Sequence, residues 1–186
     1  MELGILDIET TGFATEKDCI IEIGIAILSL ETGFINPIYD VLVKEDHFNH
    51  SFKDAWIFKN SDLKFEDVMN AQPLDKVKLQ NYFDTYPFTA YNKAFDMRFM
   101  KSRGFSIEEA ECPMKIATPV CNLKGKLGKA KWPTVEEAWN YFFPDEPYRE
   151  KHRGLDDAIH EARIVHKLFQ LNHYQAPKFS YKNLSI

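Results

Sequence analysis

"DIETTGFA", residues 7–14, closes an apolar run from Leu3 to Ile8 and carries two carboxylates two residues apart. The run is short, rich in branched residues and ends in a Thr-Thr-Gly turn signal, so it reads as a strand. In a strand, residues i and i+2 point to the same face. Asp7 and Glu9 therefore project together, with Ile8 on the opposite face. Taken alone, such a pair fits either an exposed strand end with two solvated acids or two oxygen ligands for a hard cation such as Mg²⁺ or Mn²⁺.

Working outward, residues 19–30 (CIIEIGIAILSL) read as a second strand and residues 38–44 as a third, with "ETG" at 31–33 as the turn between them. Three strands with short links predict an antiparallel meander. Beyond it the pattern alternates: a helix over 74–86, a short strand "FTAY" at 88–91, a helix over 93–103, a short strand "KIAT" at 115–118, a helix over 134–143 and a last helix over 155–171. A meander followed by βα units predicts an α/β fold with a mixed sheet and helices on its faces. Residues 46–70 scatter Trp56, Ile57, Phe58 and Phe65 among charges and are expected to form one or two short helices over a sheet edge. The polar stretch 172–186 has no period and is expected to be a loosely held tail after a domain spanning 1–171.

A chain of 186 residues with 45% hydrophobic content suits one sizeable core. Its longest apolar stretch, residues 19–30, is too short for a membrane span and is broken by Glu22. No basic and apolar leader precedes the first strand, so the protein is expected in the cytoplasm. Cys19, Cys112 and Cys121 form no C-x-x-C pair, which suggests neither a disulfide framework nor a thiolate zinc site. The net charge of −5 argues against coating nucleic acid by positive charge, unless clustered acids hold cations and reverse the local field. Lysines 115, 124, 126, 129 and 131 stand in a run without acids, which reads as a solvated loop or as phosphate contacts.

Two further stretches concentrate chemistry. In "YNKAFDMRF", residues 91–99, Asn92 is placed to cap a helix with Asp96 in its first turn, at the carboxyl end of a strand. In "HRGLDDAIHEARIVHKLF", residues 152–169, Leu155, Ala158, Ile159, Ala162, Val165 and Phe169 form an apolar stripe. Asp156 then shares a polar side with His160, Arg163 and Lys167, whereas Asp157 neighbours Glu161, Ile164 and Leu168. Asp157 is thus the better candidate for a partly buried functional acid. His152 lies in the loop before that helix, and loop histidines are often plain surface residues.

In order along the chain, DIETTG, N-x-x-x-D at 92–96 and H-x-x-x-x-D at 152–157 resemble the three motifs of the DnaQ-like exonuclease superfamily, in its histidine-containing DEDD branch. That branch includes the proofreading subunit of bacterial replicative polymerase and stand-alone DNA and RNA exonucleases. The resemblance runs from Gly4 to Phe169 and implies a ribonuclease H-like sheet led by three antiparallel strands, with helices on both faces. It implies a 3′→5′ exonuclease that releases nucleoside 5′-monophosphates from single-stranded DNA ends. An RNA-directed relative and a catalytically silent end-binding module are the alternatives.

Carried over residue by residue, the resemblance makes Asp7, Glu9, Asp96 and Asp157 the ligands of two divalent ions, Mg²⁺ or Mn²⁺, and His152 the general base. Thr10 and Phe13 would hold the terminal nucleotide, with Asn92 beside it. Phe13 stands where relatives often have leucine, and Tyr91 where they often have histidine. Lys93, Arg98, Arg103 and the lysine run are candidate phosphate contacts. A polymerase or replication partner is implied for some relatives, no membrane contact is, and the oligomeric state stays open.

Overall fold

The computed structural model of the protein describes residues 1–178; the rest of the expected tail, 179–186, lies outside the described residues. The chain runs β1 (Glu2–Thr10), β2 (Ile20–Ser29), β3 (Ile35–Leu42), α1 (Trp56–Asn60), α2 (Phe65–Met69), α3 (Lys76–Thr85), β4 (Phe88–Thr89), α4 (Lys93–Ser102), α5 (Pro113–Cys121), α6 (Val135–Phe142) and α7 (Gly154–Gln170). The sheet order is β3-β2-β1-β4. β1–β2 and β2–β3 pair antiparallel, and β4 joins β1 in parallel. This is the mixed sheet with three leading antiparallel strands that the sequence predicts.

The alternation along β1 divides the core. Leu3 and Ile5 pack into a layer shared with α5, α6 and α7. Leu6 and Ile8 pack on the other side, against Leu79 and Phe83 of α3 and Met97, Phe99 and Met100 of α4. Helices therefore cover both faces, and Asp7 and Glu9, in phase with Leu3 and Ile5, open on the α7 side. β2 is buried at every position except Ser29, as befits a central strand covered on both faces.

The segment 46–70 forms a 3₁₀ turn (His50–Phe52) followed by α1 and α2. Its apolar residues Phe48, Ile57, Leu63, Phe65 and Val68 gather with Cys19 and Ile21 in a small core of their own. The scattered aromatics thus belong to a satellite body that docks on one end of β2.

Three expectations need correction. "KIAT" is not a strand but lies inside α5, because Pro113 sits in the first turn, where its fixed φ starts a helix. The buried residues Met114, Ala117 and Cys121 follow helical spacing, which overrides the local β-propensity of Ile116 and Thr118. The strand contact expected there is reduced to one parallel bridge between Phe88 and Glu109. The buried face of α7 is also rotated from the predicted stripe: Gly154, Asp157, Glu161, Ile164 and Leu168 are buried beside Ala158, Ala162 and Val165. Leu155, Ile159 and Phe169 are only half-buried. Finally, the start of the tail is anchored, since Tyr174 is 2% exposed in the α7-side core and its hydroxyl donates to the Glu111 carbonyl at 3.1 Å.

Gly24 sets how closely α7 approaches the sheet. A Cβ there would lie 2.0 Å from the Gly154 carbonyl carbon and 2.1 Å from the Leu155 nitrogen, both backbone atoms with no side chain to yield. Gly24→Ala is therefore expected to cost about 3 kcal/mol, as overpacking does when nothing can move aside. A urea-unfolding midpoint unchanged from the parent protein would show that the helix can back away.

Candidate active site

β1 delivers Asp7 and Glu9 opposite Gly24 and Glu22 of β2. Asp7 Oδ2 is buried without a hydrogen-bond partner among the described residues. Burial raises the Asp7 carboxyl well above its ordinary range, and the neighbouring acids Glu161, Glu9, Asp96 and Asp157 raise it further. Glu9 is raised in the same way, by burial first and then by Asp157, Glu22, Glu150 and Asp96.

Asp96 stands in the first turn of α4 at 4% exposure, where its Oδ1 accepts the Ile8 N–H at 3.4 Å. Burial pushes its carboxyl up to about 7, against the pull of backbone N–H groups of Asp96 and Ile8. Asn92 occupies the cap position of α4, but its side chain makes no capping bond, contrary to expectation. It lies at the cavity wall instead.

α7 carries Asp157 in its first turn, 1% exposed. Its Oδ1 accepts the Tyr148 hydroxyl at 2.6 Å, and its Oδ2 the Arg153 N–H at 2.8 Å. Asp156 is half-buried and pairs instead with Lys151 at 2.7 Å and with His160 at 3.4 Å. The loop before α7 places His152 so that a ring nitrogen and carboxylate oxygens of Glu9 and Asp157 all lie within 4.8 Å of one another. The ring is not free: it packs edge-on against Trp56 at 4.9 Å between centroids, with Nδ1 4.0 Å from Glu150.

Asp7, Glu9, Asp96, Glu150 and His152 line a cavity of about 340 Å³, with Asp157 beside Glu9 and His152. One wall holds Asp7, Glu9, Asp96 and Glu161, and the lip carries Phe13, Trp56 and Phe95. Phe13 is 82% exposed and meets Phe95 edge-on at 6.0 Å. The turn that presents it is tied by the Thr10 hydroxyl donating to the Gly12 carbonyl at 2.7 Å and by Arg98 donating to the Phe13 carbonyl at 2.9 Å. Two other candidate phosphate contacts are committed within the chain. Lys93 pairs with Glu109 at 2.8 Å, and Arg103 donates to Glu45 at 2.7 Å and to the Asp18 carbonyl at 2.7 Å.

Sequence reading missed four contributors. Glu161, 3% exposed, accepts the Tyr91 N–H at 3.1 Å, and burial raises it well above the carboxylate range. Its position one helical turn beyond Asp157 was the available signal. Glu150, pushed up to about 7 by burial, and Tyr148 come from an irregular stretch, and Trp56 from the satellite body. No periodicity marks those three.

The donor set fits hard divalent cations. It is carboxylate oxygen with one imidazole, one oxygen is buried and unpartnered, and no lysine or arginine lines the cavity among the described residues. Buried acids at this density repel one another unless a cation arrives.

Known proteins resemble this chain in sequence and in fold. The exonuclease family model RNase_T matches residues 5–165. A PolC-type DNA polymerase III from Clostridium perfringens (strain 13 / Type A) is 27% identical over 188 residues, covering 98% of this chain. The chain spans about a tenth of that relative, 11% of its length. Among solved structures, a full-length 3′-exonuclease superposes with a TM-score of 0.67 at 14% identity, covering 93% of this chain and 62% of that one. The nuclease domain of 3′hExo, a DEDDh family member bound to rAMP, gives 0.57 at 16% identity over 94% of both chains. At these identities the structural likeness carries the fold.

Proposed function

The chain belongs to the RNase_T exonuclease family, and on that premise we propose that it removes nucleotides one at a time from single-stranded DNA 3′ ends, releasing nucleoside 5′-monophosphates. The observation that carries this reading is that Asp7, Glu9, Asp96 and His152 line one cavity, with Asp157 beside Glu9 and His152, and that no lysine or arginine lines it among the described residues. The four acids of that set would hold two divalent ions. When bound, such ions supply a polarised phosphate and a water of lowered pKa.

The chain's own residues do the rest. His152 accepts the proton of the attacking water, a role suited to an imidazole nitrogen held within 4.8 Å of carboxylate oxygens of Glu9 and Asp157. Glu150, 4.0 Å from Nδ1, steadies the imidazolium that results. Tyr148 and the Arg153 N–H fix the orientation of Asp157. Thr10 shapes the turn that presents Phe13, whose exposed ring offers a face for the terminal base, and Asn92 supplies a polar edge nearby.

DNA is chosen over RNA because a relative matched by sequence, from Clostridium perfringens, is a DNA polymerase. The same relative supports a polymerase partner, which predicts faster removal of a mismatched than a matched primer terminus. The test is 5′-labelled single-stranded DNA and RNA incubated with Mg²⁺, Mn²⁺ or chelator. A ladder shortening from the 3′ end, dependent on metal and faster on DNA, is expected. Absence of metal-dependent shortening of either polymer would overturn the reading, and faster shortening of RNA would overturn the substrate choice.

The two neighbouring acids of α7 give a sharper comparison. Asp157→Ala is expected to lower the rate by about 10³-fold, as loss of a group that organises charge at the reacting phosphate does. Asp156→Ala, which removes the pairs with Lys151 and with His160, should stay within about twofold of the parent. Steady-state rates of the two variants decide it, and equal losses would refute the separation of their roles.

A further inference from the structure

Glu9 and Glu22 face one another across the β1–β2 ladder, on the sheet side covered by α7. Like charges directly opposite are destabilising. The counter-charge is Arg153, whose Nε donates to both Glu22 oxygens at 3.0 and 3.2 Å and whose terminal nitrogen donates to Oε1 at 2.8 Å. The Gly154 N–H adds a bond to Oε2 at 2.8 Å. Glu22 is 1% exposed, and both its oxygens are committed, so it is not available as a cation ligand.

Arg153 ties three parts of the site together. Its other terminal nitrogen donates to Asp62 of the satellite body at 2.8 Å, and its backbone N–H donates to Asp157. The residue just before it, His152, has φ +55°, a left-handed conformation that is strained for a non-glycine residue. A histidine in an untethered loop would relax from it; here the next two residues are locked to Glu22, near the start of β2.

We propose that Glu22 is a positioning residue for His152: by gripping Arg153 and Gly154 it holds the imidazole over Glu9 and Asp157. The inference rests on the reading of His152 as the proton acceptor of an exonuclease. A purely structural ion pair would stabilise the fold without acting through His152, and a double-mutant cycle separates the two.

Glu22→Gln keeps an acceptor for Gly154 and loses the charge and the fork to Arg153. It is expected to lower kcat about tenfold or more with KM unchanged in the parent background, and to add less than about twofold in a His152→Asn background. A fall by the same factor in both backgrounds would overturn the proposal. Independently of activity, the imidazole Cε1–H resonance of His152, assigned by its loss in His152→Asn, should move in Glu22→Gln; an unmoved resonance also overturns it. Should Glu22→Gln fail to fold, Arg153→Lys, which keeps the charge but cannot fork, enters the same cycle: a loss confined to the parent background supports the proposal, and an equal loss in both overturns it. If the parent protein shortens no substrate, the exonuclease reading fails, while the resonance still reports whether Glu22 places the ring.

Discussion

Asp7→Asn is expected to melt at a higher temperature than the parent protein at pH 8 in chelator, while its exonuclease rate falls by about 10³-fold or more. The rate loss corresponds to about 4 kcal/mol of transition-state stabilisation, the scale of one removed charge-organising group. The gain in stability follows from the same carboxylate. Asp7 is buried with an unpartnered Oδ2 amid Glu161, Glu9, Asp96 and Asp157, so ionising it opposes folding. An amide carries no charge, and its N–H₂ finds acceptors among those acids.

The pH dependence has a definite sign. Asp96 and Glu150 titrate at about 7 in the folded chain, and Asp7, Glu9 and Glu161 are raised well above their ordinary values. Unfolded carboxyls titrate near 4. Between those limits the folded state binds more protons than the unfolded one, so metal-free stability falls as pH rises from about 4 through about 7 and continues to fall as the higher groups ionise. His166, lowered by burial, works the opposite way below its ordinary value, and the lowered carboxyls of Glu31, Asp54, Glu109 and Glu137 do so only below about pH 5. Melting curves in chelator from pH 5 to pH 8 should move down by several degrees, and saturating Mn²⁺ should reverse the shift at pH 8 by mass action. A melting temperature that rises across this range would contradict the assignment.

His152→Asn is expected to lower kcat by about 10²- to 10⁴-fold, the usual worth of a general base, and to leave stabilisation by Mn²⁺ intact. Asparagine is the informative replacement because residue 152 sits at φ +55°, a region that asparagine tolerates better than alanine. The ring nitrogen also lies within 4.8 Å of carboxylate oxygens of Glu9 and Asp157, which makes a metal ligand the competing role. Thermal stabilisation by Mn²⁺ distinguishes them: if it disappears together with the rate, His152 holds an ion.

Much of this site was legible because its parts obey local periods. The two-residue spacing put Asp7 and Glu9 on one face of β1, and the helical period separated Asp157 from Asp156 although they are adjacent. The period failed where two signals competed. In α5, Ile116 and Thr118 favour a strand locally, yet Pro113 and the spacing of Met114, Ala117 and Cys121 win because packing outweighs propensity. In α7 hydrophobicity alone centres the apolar stripe too far to one side, because Asp157 and Glu161 are buried on that helix although charged. The contacts of His152 with Trp56, and of Arg153 with Glu22 and Asp62, join residues far apart in sequence, and no spacing encodes them.

The backbone contact between Gly24 and Gly154 bears on how a strand end could be admitted. With no side chains between them, α7 and the middle of the sheet slide or separate only by breaking the bonds that Glu22 makes to Arg153 and Gly154. The wall bearing Trp56 rests instead on its own small core, joined to the sheet through Cys19, Ile21 and Leu42 and to the loop before α7 by the exposed Arg153–Asp62 pair. Breathing of the mouth therefore belongs to that side. Amide exchange should be faster along residues 46–70 than along α7, so that one jaw acts as anvil while the other gives way.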